Sequence, residues 1–221
     1  PNFEIASEGG TVTLAGTFLP RGNFTYTSGV VDASISHIQF LRDQTITPGP
    51  IVFADVTIGG YSYTQTLTGN MTVLGTLTFN DTNSSPGNLN GFQILSYGDI
   101  TATSYGKRGS TVIRMLGTAD RTLTGITSAY LPPIEIDTSG GTTSLVGGLT
   151  FTTSLSHLGG IVDAGTSVVR FPGTGSFRPG DVEWASVTFA GYQSVIGLGG
   201  ETVKINGTLT FADTASSPGY V

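Results

Sequence analysis

The sequence predicts an all-β protein, a right-handed parallel β-helix or β-solenoid built from tandem repeats, with an array of β-sandwich domains as the alternative. Three observations point there: a glycine-rich, charge-poor composition, apolar/polar alternation with period two, and a long internal repeat. The chain has 221 residues, 33 of them glycine, and only 11% are charged, against about 25% charge in an average domain. Lys107, Lys204 and five glutamates are too few to dress the solvent faces of helices. Hydrophobic residues make up 38% of the chain, enough for a core, so the scarcity of charge does not signal disorder.

The alternation runs through the chain in order. Thr11–Leu14, Val56–Ile58, Met71–Leu74 and Thr76–Phe79 each alternate apolar residues with polar ones, mostly threonine, as do Thr111–Met115, Ser167–Phe171 and Thr202–Ile205 further on. One set then faces inward and the hydroxyls face out. Glycines bound most of these runs, and no window shows helical spacing with a cap. Steps this short fall below the usual length of a sandwich strand, which favours coils that turn at glycine corners.

The repeat is explicit. GTLTFNDTNSSPG, from Gly75 to Gly87, returns as GTLTFADTASSPG from Gly207 to Gly219. Upstream, at an offset of 131, Glu4-Ile5 meets Glu135-Ile136, Val31-Asp32-Ala33 meets Val162-Asp163-Ala164, and Pro48-Gly49 meets Pro179-Gly180. One residue inserted near Asn206 changes the offset to 132. Residues 1–131 therefore read as one full unit, and 132–221 as a second, incomplete unit of a continuous solenoid. Both ends fall mid-pattern without a polar cap, so the expectation is a window on a longer array, or a subunit whose ends are covered by neighbours.

The strings LPPIEI, GGTVTLAGTF, NFTYTSGVVDA, FADVTIGG, MTVLGTLTF and GDITAT resemble the tandem repeats of large bacterial surface and secreted proteins of the autotransporter-passenger and filamentous-haemagglutinin kind. That resemblance implies an elongated right-handed β-helix acting outside the cell or at its surface as an adhesin, stalk or fibre. It implies no catalytic residues.

The residues that could carry chemistry are few. His37 aligns with Val168 and His157 with Tyr26, so neither histidine recurs, and both are expected in exposed or edge roles. Glu4/Glu135, Asp32/Asp163 and Asp81/Asp213 recur; a carbohydrate-active β-helix would need such carboxylates, together with Asp55, to converge. Asp32 and Asp163 are expected instead to bond backbone amides in turns. Triplets at Thr25, Thr45 and Thr66 suggest a threonine array that the second unit does not keep. Exposed aromatics such as Tyr61 and Tyr192 could contact sugars or subunits, and Asn23, Asn70, Asn80, Asn83 and Asn206 head glycosylation triplets. No catalytic, cofactor-binding or metal residue is assigned. A net charge of −6 supplies no basic stripe for nucleic acid, and no apolar run is long enough for membrane insertion. The expected partners are further copies of the chain, in a filament or longer array, and surface glycans.

Overall fold

The computed structural model describes residues 1–190 and 196–212; Tyr192 and Asp213 lie outside them. The chain is a parallel β-solenoid of about ten turns, without a helix among the described residues. Every strand pairs in parallel with the turn before or after it, so the stack is not an array of sandwiches. Turn length runs from 18 residues, where Val169 pairs with Val187, to 24, where Gln65 pairs with Leu89.

Each turn contributes to three ladders. The first runs through Phe3, Phe24, Ile46 and Leu67. The second runs through Ala33, Phe53, Val73, Ser96, Met115 and Ile136. The third runs through Ile38, Val56, Leu77, Ile100, Leu123 and Leu145. Period-two alternation puts these side chains inside, where nearly all are fully buried. Each such aliphatic contributes about 1.5–3 kcal/mol through burial. Two aromatic clusters thicken the column: Phe24 with Phe40 and Phe53, and Phe171 with Phe151, Phe177 and Phe189. Trp184 packs edge-on against Phe177.

At the corners the ladders lose backbone partners, and side chains replace them. The Oδ1 atoms of Asn2, Asn23, Asp43, Asp55, Asn70, Asp99 and Asp120 each accept a backbone N–H one turn later, from Asn23, Thr45, Thr64, Thr76, Gln93, Thr122 and Thr142. A short amide or carboxylate at a bend reaches a neighbouring turn without unwinding the chain.

The strands are longer than the sequence runs suggest. Phe3–Phe18, Phe24–Phe40 and Ile134–Phe151 hold 16, 17 and 18 residues. They continue around corners because register shifts absorb the bend, at Ala6–Thr11 and Asp137–Thr142 for example.

The sequence repeat reappears as geometry. Strand Gln44–Thr47 corresponds to Gly175–Arg178 at the same offset. Gly10, Gly16, Gly29 and Gly49 have positive φ, and so do Gly141, Gly147, Gly160 and Gly180. Yet the two copies do not lie above one another. Phe24 belongs to the first ladder, while its counterpart Leu155 pairs with Ile134 in the second. Val56 lies in the third ladder; its counterpart Val187 pairs with Val169, and Val169 with Leu149, in the ladder that follows the third. From Ala33, which follows Phe24 in its turn, six steps along the second ladder reach His157, two residues after Leu155 in the same strand. One repeat therefore advances six turns and one face.

Candidate functional site

The structure distributes the sequence candidates over separate places. Glu4 accepts the Thr27 hydroxyl at 2.8 Å on the first ladder. Asp32 accepts both the backbone N–H and the hydroxyl of Ser34, and Asp163 accepts the N–H of Gly165, so both occupy local turns. Asp55 holds the Thr76 N–H. Glu135 lies 4.0 Å from Arg114, whose guanidinium bonds Asp137. Among the described residues no three of His, Cys, Asp or Glu gather in one place.

Both histidines are half-buried in side roles. His37 Nε2 meets Thr57 Oγ1 at 2.8 Å. His157 Nε2 meets Gly160 O at 3.0 Å and its ring lies against Gly180. Tyr26, its counterpart, bonds Gly29 O at 2.7 Å and covers Gly49 in the same way. Histidine thus replaces tyrosine as a ring that closes a corner. Of the threonine triplets, Thr25 aligns with Thr47, Thr45 aligns with Thr66, and the Thr47 and Thr68 hydroxyls bond at 2.7 Å. The next turn opposes Asn90 to Thr66, which ends that column. Tyr61 is exposed.

The most unusual chemistry is inside. In strand Leu77–Asp81 the alternation that buries Leu77 and Phe79 also turns Asp81 inward. Lys107 enters from the next turn, after Gly106, whose φ is +65° and which lies against the Tyr130 backbone. Its ammonium nitrogen stands 3.1 Å from Asp81 Oδ2, and both side chains are fully buried. The same nitrogen donates to Tyr63 O, one turn beyond Asp81, so the lysine side chain ties three turns together. The Gly87 N–H donates to Asp81 Oδ2 at 2.5 Å.

Two glutamines extend this polar seam. Gln44 and Gln65 pair in register, and Gln65 Nε2 donates to the carbonyls of Phe40, Arg42 and Gly59. Asp81 Oδ1, Gln65 Oε1 and the Gln44 amide have no hydrogen-bond partner among the described residues. Withdrawal from water is the dominant influence on both charges: it pushes the Asp81 carboxyl up and the Lys107 ammonium down, while their mutual attraction opposes it. A pair this dry gains attraction but gives up most of its hydration, so its neutral acid–amine form becomes accessible.

The inward carboxylate was readable from Leu77-x-Phe79-x-Asp81. Lys107 was not, because a lysine between Gly106 and Arg108 follows no strand pattern and its burial depends on the turn above. No family model, curated protein or solved structure matches the chain.

Proposed function

We propose that the chain is a structural segment of an extracellular bacterial fibre, stalk or adhesin, whose task is length, stiffness and resistance to proteases. The carrying observation is the unbroken run of parallel ladders over an apolar column, in which each turn satisfies its backbone on its neighbours. Geometry of that kind extends by adding turns, from the same chain or from another copy. The repeat supports the reading, since corners of the same conformation recur 131 residues apart. The resemblance of the repeat strings to bacterial surface proteins supports the location. The exterior offers threonine and serine with exposed aliphatics such as Val30 and Ile161, counterparts in the two copies.

The test is electron microscopy of the purified chain across a concentration series, with limited proteolysis alongside. Rods that join end to end and survive trypsin are the expected result. A monodisperse monomer at high concentration overturns the polymerising form of the reading, and rapid digestion of the folded chain overturns the structural role.

A further inference from the structure

We propose that Lys107 and Asp81 condense to an intramolecular isopeptide bond, so that the mature solenoid carries a covalent staple between adjacent turns. The pair meets the conditions the reaction needs. The lysine nitrogen lies 3.1 Å from Asp81 Oδ2, and neither side chain touches solvent. One N–H of the amine is held by Tyr63 O, which fixes how the nitrogen lone pair can face the carboxyl carbon. The Gly87 N–H on Oδ2 draws electron density from that carbon and stabilises charge developing on oxygen during attack. Backbone on three turns holds both groups, so the encounter is effectively intramolecular and permanent.

In water an amine and a carboxylic acid ionise and do not condense. Here burial favours the neutral amine and the neutral acid. The amine lone pair attacks Cγ of the protonated carboxyl, forming the N–Cγ bond. One Cγ–O bond then breaks, and the departing hydroxyl takes a proton from nitrogen. The products are a secondary amide and one water, with no change of oxidation state and no further reactant. Exclusion of bulk water disfavours the reverse hydrolysis. The chain supplies its own control: Lys204 stands 3.3 Å from Asp181, but both are well exposed. Surrounded by water, that pair stays open.

Intact-mass spectrometry of the purified chain tests the bond. The expected mass is about 18 Da below that of the sequence, one water lost, with a branched tryptic peptide joining Lys107 to Asp81. Lys107→Arg restores the full mass. Asp81→Asn forms the same amide by losing ammonia, about 17 Da; the branched peptide, and its loss in Lys107→Arg, separate this chemistry from succinimide formation at position 81, which needs no lysine. Full mass in the wild-type chain overturns the proposal, as does a loss of water that persists in Lys107→Arg. A bond found at Lys204 instead overturns it too. Because the branched peptide is sought in the wild-type chain, the result stands whether or not a variant folds.

Discussion

At Gly49 the chain requires a residue without a side chain for two independent reasons. Its φ is +59°, in the left-handed region, and an added Cβ would lie 2.1 Å from Cδ1 of the Tyr26 ring. The ring has little room to yield, because its hydroxyl is anchored to Gly29 O. Gly49→Ala should therefore lower stability by about 2 kcal/mol, or about 4–8 °C in Tm for a chain of this size. Gly9→Ala is the matched control, since no described atom lies within 4 Å of its added Cβ and its φ is not positive; its melting temperature should stay within a degree or so. Equal losses in thermal melts would show that the ring contact and φ do not set the requirement. Asp32 gives a second test at this scale. The Ser34 hydroxyl, then its backbone N–H, hold the Asp32 carboxyl below the ordinary aspartate value. A depressed folded value means that the interaction stabilises the fold above the ordinary pKa of about 4 and is lost as pH falls through the folded value. Ser34→Ala should move the Asp32 titration upward, toward the ordinary value, in a carboxyl-detected NMR titration. An unmoved midpoint would show that the hydroxyl does not hold the charge.

At the scale of the ladder, a column is as good as its worst rung. In the second ladder Ser96 sits between Val73 and Met115, fully buried, with a hydroxyl that finds no hydrogen-bond partner among the described residues. A buried hydroxyl without a partner is destabilising, so Ser96→Ala should raise stability by about 1 kcal/mol. In the third ladder Ile100 packs between Leu77 and Leu123, and Ile100→Ala should remove about 2–5 kcal/mol. Chemical denaturation of the two variants decides; opposite signs are expected, and a loss in Ser96→Ala would reveal a bond that the hydroxyl makes in solution. Ser96 also shows where sequence reading runs out. Its neighbours Ile94 and Leu95 leave it outside any clear alternation, and only the registers above and below place it inside. The same holds for Lys107 and Gln65, whose burial depends on turns about 20 residues away. Leu77, Phe79 and Asp81 were legible because a period-two run fixes the face of each residue locally. Corner aspartates and asparagines were legible as turn formers, but their bonds to the next turn were not, because turn length varies from 18 to 24 residues.

Across the whole molecule, the sequence repeat and the structural turn are incommensurate. Direct tandem copying of a 131-residue unit carries each motif six turns along the axis and one face around it. Tyr26 and His157 close equivalent corners, but on different ladders. This is tolerated because the interior of each ladder is lined mostly by apolar residues that can replace one another and the corners are local, so a unit need not find its own copy beneath it. Alignment at 131 thus records how the chain was copied, while the pairing registers record how it stacks, and the two need not agree. The mismatch has a measurable consequence for an array of these units. Three-sided turns spaced by about 4.8 Å give a rise near 30 Å per repeat and a rotation of about 120°, added to any uniform twist of the turns. Residues 1–131 fused head to tail in several copies should form a rod in which a tag at Tyr61, exposed at a corner, follows a single spiral with about three repeats per turn. Gold labelling of Tyr61→Cys in each copy, read by cryo-electron microscopy, gives the angle directly. Labels returning to the same face every repeat would mean that the copies stack in phase, and that the one-face advance seen between Phe24 and Leu155 is not a property of the repeat.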